Sequence, residues 1–155
     1  MENGTNTLIS KYDFWDMYRE ISTGNVYTDC YEAALEIAGM KILHCKYFGS
    51  YQGEWYAYGE YEGKYGWVVG SYGSCGGCDS WQAEFDRHWD HTYEDWFELV
   101  KDFGAAYLPL QSSDSVVEAV NKNCSTSIDS DPIKDWVIEV VIKTEEPELY
   151  MEYTL

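Results

Sequence analysis

The stretch from residue 54 to residue 72 constrains the fold more than any other part of the chain. Glu54–Tyr61 and Tyr65–Tyr72 are rich in aromatic and β-branched residues and flank Glu62-Gly63, a two-residue turn of the Asp-Gly kind. A tight turn there fixes the register of an antiparallel hairpin. Tyr58 then faces Trp67, Tyr56 faces Val69, and Gly59 faces Gly66. The paired glycines make a thin spot where a helix or a partner can come close. Gly49-Ser50-Tyr51-Gln52-Gly53 reads as a second turn, so Lys41–Phe48 is expected to extend the hairpin into a meander.

Helical spacing brackets this meander. Phe14, Trp15, Tyr18 and Ile21 predict a helix over Tyr12–Ile21. Cys30, Ala33, Ala34 and Ile37 predict another from Asp29 to Ala38, with Gly39 as its C-cap. After the hairpin a helix is expected from Asp79 or Ser80 through Trp81 and Phe85, continuing or restarting at Thr92. Trp96, Leu99, Val100 and Phe103 are its buried stripe and Gly104 its end. Leu108–Ser113 reads as loop, Ser115–Lys122 as a short helix, and Asn123–Pro132 as polar and turn-rich. Trp136–Ile142 is β-branched and apolar, which favours a strand over a helix. Glu145–Leu155 is expected to add an edge strand. The fold class that follows is α+β, a small antiparallel sheet packed with several helices. Residues 1–9 read as a flexible N-terminus and 10–155 as one acidic domain.

Composition narrows the functional classes. The 155 residues carry 28 Asp+Glu against 10 Lys+Arg, a net charge of −18, yet 45% are hydrophobic and the 7 Trp and 15 Tyr are spread along the chain. An acidic disordered tail has no such aromatic supply. A nucleic-acid binder needs the opposite charge. No run of about 18 apolar residues suggests a membrane span. The start has neither a basic region nor a long apolar run, so no signal peptide is expected. Five cysteines, an odd number, favour a reducing cytosol over a disulfide framework.

The sharpest local motif is Ser74-Cys75-Gly76-Gly77-Cys78-Asp79. A thiol at a helix N-terminus is acidified by free N–H groups, which is redox geometry. The hairpin before it and the acidic surroundings oppose that reading. Zinc is the other chemistry: Cys75 and Cys78 supply two ligands of four, with His88 and His91 as candidates for the rest, and Cys45 and Cys124 as further thiols. The gap of ten residues from Cys78 to His88 is short for a zinc finger. The plain alternative is a glycine turn into a helix, with the cysteines as small buried hydrophobes. No cofactor is therefore expected, with zinc as the alternative.

Tyr51-Gln52-Gly53 and Tyr72-Gly73-Ser74-Cys75-Gly76-Gly77-Cys78-Asp79 resemble a group of small uncharacterised phage and prophage proteins with a G-S-C-x-G-C-D segment ahead of a helix. The likeness spans roughly residues 45 to 103. It implies a viral accessory protein and transfers no activity.

The carboxylates are patterned. Asp86, Asp90, Glu94, Glu98 and Asp102 recur every four residues. On one continuous helix they form a ridge with about 6 Å between neighbours, close to the phosphate spacing of a nucleic-acid strand. A restart at Thr92, with Asp95 as a capping partner, would break it in two. A second cluster is Asp129, Asp131, Asp135 and Glu139, and a third Glu145, Glu146, Glu148 and Glu152. No P-loop, H-E-x-x-H, G-x-S-x-G or complete EF-hand loop is present, and Asp129-Ser130-Asp131 lacks the further ligands calcium needs. His44 reads as structural. The expectation is a cytoplasmic phage-type inhibitor of a basic nucleic-acid-binding protein, such as a CRISPR effector, a restriction enzyme or a transcription factor. Asp86, Asp90, Glu94, Glu98, Asp102, Asp129, Asp131 and Asp135 would occupy the partner's groove, with exposed Tyr or Trp as anchors. The alternatives are a non-mimic allosteric or dimerising inhibitor and a zinc-stabilised or thiol-active protein.

Overall fold

The computed structural model describes residues 7–21, 29–49, 52–73, 80–85, 90–124 and 131–154. Three strands, β2 (Lys41–Gly49), β3 (Gly53–Tyr61) and β4 (Lys64–Tyr72), form an antiparallel meander in the order β2-β3-β4. The expected register holds: Tyr58 pairs with Trp67, Tyr56 with Val69 and Gly59 with Gly66. The reason is the turn. Glu62 (φ 52°) and Gly63 (φ 79°) both take left-handed backbone, the geometry whose twist matches that of the flanking strands. β2 pairs only with β3 among the described residues. A bulge between Ile42 and His44 interrupts its ladder, leaving Leu43 exposed between Lys41 and Lys46.

The sheet is covered on both faces, and its strands alternate accordingly. Tyr56, Tyr58 and Trp67 meet one helical layer: α5 (Ser113–Cys124) and a continuous helical run from Asp131 to Glu145. That run comprises α6 (Asp131–Lys134), a π-helical segment (Asp135–Ile142) and α7 (Lys143–Glu145). Trp55, Ala57 and Val68 meet Tyr31, Leu35 and Met40 from α2 (Asp29–Ile37) and its exit. Behind α2, Phe14 of α1 (Lys11–Ile21), Phe85 of α3 (Ser80–Phe85), and Trp96 and Val100 of α4 (Tyr93–Ala105) close a third apolar cluster around Ala34. Trp55, Trp67 and Trp96 are all fully buried. Each such ring removes about 150–250 Å² from water, or about 4–6 kcal/mol gross at ~25 cal/mol/Å².

Helix ends follow the local chemistry. Gly39, at φ +112°, closes α2 with the paired bonds Met40 N–H to Leu35 O (2.9 Å) and Gly39 N–H to Glu36 O (3.0 Å). Thr92 caps α4 by accepting the Asp95 N–H at 3.2 Å.

Five expectations are corrected. Trp136–Ile142 is helical, not a strand: Val137, Ile138, Val141 and Ile142 are buried in doublets four residues apart, the repeat of one helical face and not the period of two of a strand. Glu145–Leu155 holds no edge strand; Pro147–Thr154 is helix α8. Gly104 does not end α4, which runs on to Ala105. It lies where α4 crosses α2, and a Cβ there would stand 2.0 Å from the Ala34 carbonyl oxygen. Leu8 and Ile9, expected within a flexible N-terminus, belong to β1 (Leu8–Ser10), which pairs antiparallel with β5 (Asp90–Thr92). The Trp96 indole N–H secures β1 by donating to Ile9 O at 3.0 Å. At the thin spot of Gly59 and Gly66 the neighbour on the Gly66 side is a loop and not a helix. Gly66 faces the Gln111 carbonyl and the Leu110 Cβ, and Trp67 and Gln111 exchange two 2.8 Å backbone bonds.

Candidate functional site

α4 builds the first acidic face. Trp96 and Val100 pin one side of the helix in the core, so Glu94, Glu98 and Asp102 stand exposed on the other. None of the three forms an ion pair with Lys or Arg among the described residues. Of the two arrangements open to the five carboxylates, the broken one is found. The helix restarts after Thr92, so Asp90 lies on β5, exposed and opposite Ser10. Thr92 is extended (φ −70°, ψ 164°), because the cap that satisfies the first N–H groups of α4 requires non-helical backbone. Asp86 lies outside the described residues.

The second face lies on the helices beyond the sheet. Asp135 and Glu139 are exposed on the π-helical segment, Asp114 and Glu118 on α5, and Glu148 and Glu152 on α8. Asp131 begins α6, while Asp129 lies outside the described residues. Two carboxylates here are held by tyrosines: Tyr150 donates to Glu139 at 2.8 Å and Tyr153 donates to Asp114. These bonds raise both phenols above the ordinary range. For Tyr150 the Glu139 bond is the largest cause; for Tyr153 burial comes first, then Asp114.

Between this face and the sheet lies a polar relay. The Trp67 indole N–H donates to Ser113 Oγ at 2.9 Å, and Ser113, itself buried, donates to Glu146. The Tyr58 hydroxyl also bonds Glu146, and burial followed by that carboxylate pushes the phenol upward. Next to it, His44 Nε2 lies 2.7 Å from Glu145. The serine bonds the carboxylate and not the histidine, so no activated nucleophile results. Glu145 and Glu146 were legible as acidic residues, but their partners are 33 to 101 residues away in the chain, and no local signal marks Ser113.

Of the candidate zinc ligands, Cys75, Cys78 and His88 lie outside the described residues. His91 is on β5, 3.9 Å from Asp95 and with its ring 5.1 Å from that of Trp96. Cys45 lies on β2, where burial, then Glu32, raises its thiol; Cys124 closes α5. Among the described residues no group of three His, Cys, Asp or Glu side chains is placed to hold a metal ion. No helix among them is long and apolar enough to cross a membrane. The aromatic anchors on the surface are tyrosines: Tyr12 and Tyr65 are about three-fifths exposed, while no described tryptophan is exposed.

The architecture is a mixed α+β fold in which a small antiparallel sheet packs against several helices. No protein family, curated protein or solved structure matches the chain.

Proposed function

We propose that this protein is a phage-type inhibitor that binds a basic nucleic-acid-binding protein and keeps DNA or RNA from its groove. The observation that carries the reading is the exposed row Glu94, Glu98 and Asp102 on a helix anchored by buried Trp96 and Val100, with no cationic partner of its own among the described residues. Residues four apart on a helix stand about 6 Å apart, so the carboxylates are preorganised at a spacing close to that of phosphates. A rigid acidic helix loses little entropy on docking. The net charge of −18 speeds encounter with a basic partner. Asp90 and Asp135 extend the negative surface on separate elements, and Asp86, Asp129 and Asp131 belong to the same proposed set.

The test is an affinity capture from host lysate at low and then high salt, with mass spectrometry of the eluate. It is repeated with the triple variant Glu94→Lys, Glu98→Lys, Asp102→Lys. The expected result is a stoichiometric basic nuclease or DNA-binding protein that salt releases and the variant, with unchanged thermal unfolding, fails to capture. A variant that captures the same partner equally well would refute the mimicry.

A further inference from the structure

We propose that α8, Pro147–Thr154, is a strap that lifts from the molecule as a unit about a hinge at Glu146 and uncovers apolar surface beneath it. Three independent features support this. First, α8 has no buried residue, whereas α5 buries Val116, Val117 and Val120 and the π-helical segment buries four. Its Leu149, Tyr150 and Tyr153 are only half-buried, resting on the cluster that includes those residues. Second, the chain leaves helical geometry at Glu146 alone (φ −134°, ψ 65°), between α7 and α8, so rotation is confined to one residue. Third, the strap is fastened by side-chain tips. Tyr150 reaches Glu139, Tyr153 reaches Asp114, and at the hinge Ser113 holds Glu146 while His44 holds Glu145. The two tyrosine bonds are exposed to water, which competes for both partners as the strap opens.

Local opening of such a unit precedes global unfolding when few apolar contacts hold it. The surface it would bare belongs to the apolar cluster that α5 and the π-helical segment form with the sheet, and the carboxylates that had accepted the tyrosine hydroxyls stand on those same two helices. Lifting α8 thus releases an apolar patch and two acidic acceptors together. The proposal does not depend on the α4 face and survives if mimicry fails.

Hydrogen exchange on the full chain, read by mass spectrometry, tests it. Amides of 148–154 should exchange as one group, about 100-fold faster than those of 116–120 and 137–142. The double variant Tyr150→Phe, Tyr153→Phe keeps both rings and removes both hydroxyls. It should speed exchange of 148–154 several-fold, leave 55–58 unchanged, and raise the fluorescence of a hydrophobic dye such as bis-ANS. Exchange of 148–154 at the rate of the core would overturn the strap, because α8 would then open only with the whole fold. So would rates that climb gradually from Leu149 to Thr154, which mean fraying, or a double variant that accelerates every region equally.

Discussion

Single side chains decide how this acidic fold responds to alkali. Tyr58 and Tyr153 are raised first by burial and then by carboxylates, and Cys45 by burial and then Glu32. The sign follows from linkage. A group whose folded pKa lies above its unfolded value stabilises the fold fully below the unfolded value, and that stability is lost as pH rises through the folded one. The window therefore opens near pH 9 for the thiol and near pH 10 for the phenols, their ordinary values, and extends upward. Denaturant midpoints should be flat from pH 7 to about 8.5 and then fall steadily. Tyrosinate absorbance should show a late fraction that ionises only as the protein unfolds; a midpoint that is unchanged to about pH 11 would contradict the placement of these groups. None of this was legible in the sequence. Tyr58 was visible as a strand residue opposite Trp67, but Glu146 reaches it from 88 residues away, a proximity that only the folding of the C-terminal helices over the sheet creates.

At the scale of elements, legibility followed locality. The hairpin register was set by a two-residue turn between its strands, and the Gly39 stop by a glycine at the end of an apolar stripe. Both are short-range devices that tertiary packing reinforced. The segment 136–142 misled because β-branched residues favour strands on an open, half-buried surface. Here they fill the gap between the sheet and α5, where burial outweighs propensity. The doublets Val137-Ile138 and Val141-Ile142 carried the helical repeat all along. Gly104 is ambiguous in the sequence for a related reason: a glycine near a helix end suits a cap and a close crossing equally, and only the neighbouring helix distinguishes them. Gly104→Ala should therefore destabilise at the upper end of the ~1–3 kcal/mol typical of overpacking, since the obstacle is the Ala34 backbone. Gly63→Ala meets nothing within 4 Å and should cost only the ~1–2 kcal/mol of left-handed backbone. Urea unfolding of both variants checks the order, and equal losses would place the α2–α4 crossing wrongly.

For the molecule as a whole, three buried tryptophans are set against a net charge of −18. Self-repulsion at that charge weakens the compact state and is screened by salt, whose Debye length falls from about 10 Å at 0.1 M to about 3 Å at 1 M. The thermal midpoint should thus rise with sodium chloride between about 0.02 and 0.5 M. A fall would mean that specific ion pairs, and not bulk repulsion, dominate the electrostatics. The acidic excess follows directly from the residue counts. The arrangement of the carboxylates does not, because it depends on which helix faces the core claims. The outer side of β2, which has no second strand partner among the described residues, also acquires its meaning at this scale. β2 is nine residues long, and an unpaired strand edge is in general a template on which further copies of a chain can add. The bulge at Leu43 spoils the periodicity that a growing fibre must copy, and Lys41 and Lys46 flank the defect. The irregularity of β2 thus disfavours the edge-to-edge pairing of one copy with the next.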